Sequence, residues 1–207
     1  MRSRAAATVL SRAGFEEVYS MEGGIQAWNG FVAKGIPEAG MAYFLPAAKP
    51  EELMALAWLL EDGSRKFYTE MGKRLEDPVV KTLCRGLMAD EEKHQESLFR
   101  MYQETAGSRA EPGFPGSVIS GEPAEAYMEG GMRLNEALEW TKEKELLDIL
   151  ELSVSLEVNS SDLYIKMERK VEDEKAKKTF QALAEDEKDH LSRLSLVFER
   201  SLGRFRK

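Results

Sequence analysis

The stretches LMADEEKH, ending at His94, and LAEDEKDH, ending at His190, carry one pattern twice, and they hold the only two histidines among 207 residues. The positions at 94 and 190 stand 96 apart. The same offset relates Glu61 to Glu157, Tyr68 to Tyr164, Met71 to Met167, Asp77 to Asp173, Leu87 to Leu183 and Glu91 to Glu187, without an insertion anywhere. A period this long and this regular reads as the duplication of one helical hairpin.

Within each copy the spacing sets the geometry. Glu61 and Glu91 lie 30 residues apart, with their midpoint in the helix break EDP at Glu76; Glu157 and Glu187 repeat this about EDEK at Glu172. Each arm is about 15 residues, roughly 22 Å at the helical rise. An antiparallel hairpin therefore returns the two glutamates of a copy to one height. His94 follows Glu91 by three residues and His190 follows Glu187 by three, so each pair shares a helix face. That face is the apolar one. Val80, Leu83, Leu87, Leu98 and Met101 bracket the first pair; Phe180, Leu183, Leu194 and Val197 bracket the second. Glu61 sits in a row of Leu53, Ala57, Ser64, Tyr68, Met71 and Leu75, and Glu157 in one of Leu150, Ser153, Ser160, Tyr164, Met167 and Val171. All six groups occupy places where a helix puts core residues.

Four carboxylates at one level of a core repel one another, and each costs several kcal/mol unless paired or neutralised. Two divalent cations carry the compensating charge, with one histidine available to each. Glu from two helices plus Glu-x-x-His from two others is the donor set of di-iron and di-manganese bundles. A single E-x-x-H on a charged helix ordinarily marks a solvated face; the duplicated set, with every histidine of the chain inside it, points to metal. The oxygen donors suit iron or manganese, and imidazole adds affinity for iron and zinc. Glu92, Glu96, Glu185 and Asp189 fall on the solvent side. Tyr68 and Tyr164, two turns from Glu61 and Glu157, read either as plain core residues or as hydrogen-bond partners of a ligand carboxylate; Met71, Met88 and Met167 read as packing.

Bulk properties remove other classes. A net charge of −8 argues against general nucleic-acid binding. No apolar run approaches the ~20 residues of a membrane span, and the basic N-terminus lacks the apolar stretch of a secretory signal. Cys84 is the single cysteine, which excludes an internal disulfide or a four-cysteine metal site. A reducing, cytoplasmic setting follows as the expectation.

Along the chain, residues 1–30 read as short helix, strand, turn and helix, too few to bury a core alone. Residues 31–50, with Pro37, Pro46 and Pro50, read as a linker. Then come two long helices, the second capped by Asp77, opened by Pro78 and stopped at Gly107; a loop over 108–122; a mixed stretch with a short helix crossing the bundle; and two more long helices. Four long helices with one long connection between the second and third match the ferritin-like variant of the four-helix bundle. The hairpins are placed at 51–106 and 144–202, within a domain spanning 51–203.

On LLEDGSRKFY, LMADEEKHQESL, SLEVNSSDLY and LAEDEKDHLSRL, residues 51–202 resemble the rubrerythrin branch of the ferritin-like superfamily. The resemblance implies two iron ions, with manganese or zinc as alternatives. It also implies the ligands Glu61, Glu91, His94, Glu157, Glu187 and His190, with Glu91 and Glu187 bridging. Two departures stand out. The four-cysteine electron-donor module of classical rubrerythrins is missing. So is their extra carboxylate three residues after the third-helix glutamate, where this chain has Ser160, matching Ser64. The implied function is a di-iron oxidoreductase that reduces peroxide or O2 or oxidises ferrous iron. It would draw on an external electron donor and act as a homodimer. The alternative is a non-catalytic iron-binding or iron-sensing bundle.

The stretch RSRAAATVLSRAGFEEVYSMEGGIQAW is similar to the end of a rhodanese domain. Residues 1–35 thus read as a rhodanese C-terminal fragment and 36–50 as linker. The position of the family's catalytic cysteine does not occur in the chain, so rhodanese activity is not expected of it. A weaker alternative makes it part of a longer sulfurtransferase fusion.

Overall fold

A computed structural model describes residues 49–107, 110, 112–119 and 127–205. The readings of residues 1–35 as a rhodanese fragment and of 36–48 as linker lie outside them. The described residues form five α-helices: α1 (Pro50–Arg74), α2 (Pro78–Ala106), α3 (Leu134–Trp140), α4 (Leu146–Lys170) and α5 (Glu174–Phe205). Pro50, placed at the end of the linker from sequence, is the first residue of α1. Among its described residues, the crossover between α2 and α4 contains α3 and two 3-10 turns, Glu129–Gly131 and Thr141–Glu143.

Local chemistry sets the helix ends. Pro50 opens α1, and the Glu52 carboxylate accepts the Lys49 backbone N–H at 2.9 Å. Asp77 caps α2 by accepting from Val79 N at 2.8 Å and Val80 N at 3.3 Å, with Pro78 behind it and Gly107 at φ 55° closing the far end. Its repeat partner Asp173 accepts the Ala176 N–H at 2.8 Å and so starts α5. Both capping aspartates are thus the duplicated pair.

Helix α1 packs chiefly on α2, and α4 on α5. The buried apolar residues divide into two clusters. One holds Leu53, Ala57, Leu98, Met101, Tyr164, Met167 and Leu183; the other holds Tyr68, Met71, Leu87, Ile149, Leu150, Leu194 and Val197. Repeat-related residues fall in opposite clusters: Leu53 against Ile149, Tyr68 against Tyr164, Leu87 against Leu183. The two hairpins are therefore antiparallel copies, related by an approximate twofold axis across the bundle. A polar layer lies between the two apolar ends, at the height of the glutamates and histidines. The crossover joins the second cluster through Met128, Leu134 and Ala137, and Arg74 at the end of α1 donates to Thr141 Oγ1 at 2.9 Å, holding it there.

Candidate metal centre

The polar layer contains all six groups singled out from the sequence. Glu61, Glu91, Glu157 and Glu187 are at most 1% exposed, His190 1% and His94 4%. Each histidine turns Nδ1 inward. Around His94 Nδ1 lie Glu91 at 3.2 Å, Glu61 at 3.3 Å and Glu187 at 3.3 Å. Around His190 Nδ1 lie Glu157 at 3.2 Å, Glu187 at 3.3 Å and Glu91 at 3.8 Å. Each half thus has one histidine and one glutamate of its own, while Glu91 and Glu187 face both. The imidazole rings stack, with centroids 5.4 Å apart.

Tyr68 and Tyr164 are both buried and both donate to carboxylates across the repeat. Tyr68 donates to Glu157, and Tyr164 to Glu61. The tyrosine of each copy thereby orients the glutamate of the other.

Two further groups were not recognised from sequence, although the repeat contained them. Asp90 and Asp186 precede Glu91 and Glu187, and they too stand 96 apart. His94 Nε2 faces Asp186 at 3.5 Å, and His190 Nε2 faces Asp90 at 3.8 Å. A carboxylate on the outer nitrogen of an inward-facing imidazole favours the tautomer whose inner nitrogen can ligate. Asp90 is in turn held by Arg193 Nη2 at 2.7 Å. The repeat places Ser97 where a second Arg193 would be, so the pairing has no duplicate.

A third group has no repeat mate and left no periodic signal. Glu129, in the 3-10 turn of the crossover, is 1% exposed. It accepts from Ser64 Oγ at 2.9 Å, from Ser160 Oγ, and from Tyr164 Oη at 3.0 Å. The carboxylate that sequence reading found missing beside Glu157 is therefore matched by one arriving from the crossover. The two serines are its hydrogen-bond donors.

The electrostatics separate these carboxyls into two kinds. Burial alone would raise Glu61, but the His94 imidazole and the Tyr164 hydroxyl outweigh it and hold Glu61 at about 2. Glu157 is lowered despite burial by its contacts with Glu187, His190 and Tyr68. Glu91 and Glu187 are pushed well up, first by burial and then by the surrounding carboxylates. Glu129 is raised in the same way by burial, Glu61 and Glu157, against the pull of Ser160 and Ser64. His94 is raised because Glu61 outweighs its burial.

All four carboxylate oxygens of Glu91 and Glu187 are buried and accept no hydrogen bond. Such atoms are costly unless something binds them. Donor atoms of Glu61, Glu91, His94 and Glu187 converge within 4.8 Å of one another, as do those of Glu91, Glu157 and His190, and those of Glu129, Glu157 and Glu187. Orphaned oxygens between paired imidazoles fit a hard or borderline divalent cation.

Comparison with known proteins bears on the fold and the family. A solved structure of a hypothetical protein from Pyrococcus furiosus superposes with a TM-score of 0.57 and 25% sequence identity, covering 82% of this chain and 98% of the other. No curated protein matches the chain. The rubrerythrin family model matches residues 52–197, which hold the whole buried Glu/His layer and most of both hairpins, and the chain belongs to that family.

Proposed function

We propose that the buried layer is a di-iron centre and that the protein is an oxidoreductase reducing peroxide or O2, or oxidising ferrous iron. The observation carrying this reading is the set of orphaned oxygens on Glu91 and Glu187, set symmetrically between two inward-facing histidines. In this reading Glu61 and His94 hold one metal, Glu157 and His190 the other, and Glu91 and Glu187 serve both. Bound iron would supply one-electron chemistry and an affinity for small oxygen species.

The chain's own residues have distinct tasks. Glu91 and Glu187 release their protons when the site is loaded, because ligation requires the carboxylate form. Tyr68 and Tyr164 fix the rotamers of Glu157 and Glu61 and hold a phenolic proton at an oxygen of each. Asp186 and Asp90 face the outer nitrogen of each imidazole, and their charge favours the tautomer that carries its proton there. The apolar clusters on both sides keep bulk water away, which strengthens every charge interaction within the layer. Electrons come from a donor outside these residues, since Cys84 is the single cysteine and is buried among apolar side chains of the second cluster.

The test is anaerobic loading with ferrous iron, metal analysis per chain, and then turnover with O2 and with peroxide. Two irons per chain and turnover with either oxidant are expected. Two irons without redox cycling would leave a non-catalytic iron-binding bundle, and no uptake at all would overturn the metal reading.

A further inference from the structure

The six duplicated groups describe two equivalent metal positions, but Glu129 has no repeat mate. Its place is built by the fold. The Glu129–Gly131 turn packs against both α1 and α4. It is closed by a bridge between Tyr127 and Arg133 and by hydrogen bonds from Met128 N to Met132 O at 2.8 Å and from Gly131 N to Met128 O at 3.0 Å. Gly131, at φ 75°, makes the turn possible.

Gly63 admits the turn to the bundle. A β-carbon there would overlap the Tyr127 carbonyl oxygen and come within 2.7 Å of its carbon and 3.1 Å of Met128 Cα. The second copy has Asn159 at the corresponding register, so the space that Gly63 leaves on α1 has no duplicate on α4. Ser64 and Ser160 are repeat mates, and they donate to opposite oxygens of Glu129. The carboxyl thus lies across the approximate twofold axis.

Its surroundings are not symmetric. Tyr164 donates to Glu129 as well as to Glu61. A Glu129 oxygen also converges within 4.8 Å of donor oxygens of Glu157 and Glu187, and both Glu187 oxygens are buried and unpartnered. A buried, orphaned carboxylate beside a third carboxylate is a place for a hard divalent cation.

We propose that Glu129 is a further carboxylate ligand, supplied by the crossover to the metal position on the Glu157–His190 side, and that it makes the two repeat-related positions inequivalent. This rests on the two-metal reading above.

The test compares the full-length wild-type chain with Glu129→Gln, which keeps size and hydrogen-bonding capacity but removes the charge. Gly63→Ala serves as a second variant, since it displaces the turn without touching an acidic residue. Ferrous iron or cobalt(II) is titrated anaerobically, and thermal melts of the metal-free proteins are recorded alongside. Wild type should bind two ions in distinguishable steps and show two distinct iron environments in its Mössbauer spectrum. Both variants should weaken one step by about 10–100-fold, the range for losing a supporting or ligating group, and leave the other step in place. Glu129→Gln should also bring the two iron environments together. Wild type that binds two ions, with a folded Glu129→Gln showing unchanged stepwise constants and spectrum, overturns this assignment alone. Wild type that takes up no metal overturns the two-metal reading and this assignment with it.

Discussion

The hydroxyl of Tyr164 on α4 donates to the carboxylate of Glu61 on α1, 103 residues earlier in the chain. The reciprocal bond runs from Tyr68 to Glu157. These bonds lock the two antiparallel hairpins together at the level of the site. Tyr164→Phe and Tyr68→Phe keep the ring in its apolar cluster and remove only the donor. Each should weaken metal binding by about tenfold and destabilise the metal-free fold by about 1–3 kcal/mol, since a buried carboxylate loses its partner. Metal titration and denaturant unfolding of the two single variants and the double variant measure both effects.

The metal-free protein should become less stable as pH rises from 4.5 toward neutrality. Glu91, Glu187 and Glu129 are raised above their ordinary 4.5, so the fold retains protons there that the unfolded chain has released. Where the native state binds more protons, stability falls with rising pH. Glu61 and Glu157 act in the opposite sense; their contribution is present above 4.5 and is lost as pH falls, for Glu61 through about 2. Thermal melts of chelated protein across pH 4.5 to 8 should show a falling midpoint. Metal should restore stability most at the high end, with affinity rising with pH as binding displaces protons.

Asp90 and Asp186 stand at equivalent register, yet Arg193 holds Asp90 alone among this pair. Asp90 is about a quarter exposed, whereas Asp186 is 64% exposed. Asp90→Asn should therefore cost more metal affinity than Asp186→Asn: about tenfold or more for the first and less for the second, whose charge is screened by solvent. Isothermal titration with cobalt(II) distinguishes them, and equal effects would show that the Arg193 contact is without consequence.

The duplicated caps provide a control remote from the chemistry. Asp77→Ala and Asp173→Ala should each lower stability by about 1 kcal/mol, with metal stoichiometry unchanged. Denaturant midpoints of the metal-free variants measure the loss, and metal analysis of the loaded ones checks that the site is intact.

Most of the bundle was legible because helices translate sequence spacing directly into faces and heights. Steps of three and four placed Glu61, Glu91, His94, Glu157, Glu187 and His190 on core faces. The break at Asp77–Pro78 set the arm lengths, and burial of all six agrees with that reading. Asp90 and Asp186 show where periodicity gives no signal. On a helical wheel they point away from the core row, and only the neighbouring helix brings each one to the histidine of the other copy.

The repeat by itself determined that four carboxylates and two imidazoles share one level of one core, because a helix has a fixed rise and a fixed turn. It could not determine what the crossover does there. Glu129 sits in a turn without periodicity, and its position depends on Gly63 leaving space on α1 and on Ser64 and Ser160 presenting hydroxyls from two helices at once. A contact among three segments distant in sequence exists only once the hairpins have packed, so the tertiary structure alone decided that a duplicated site carries one unduplicated carboxylate.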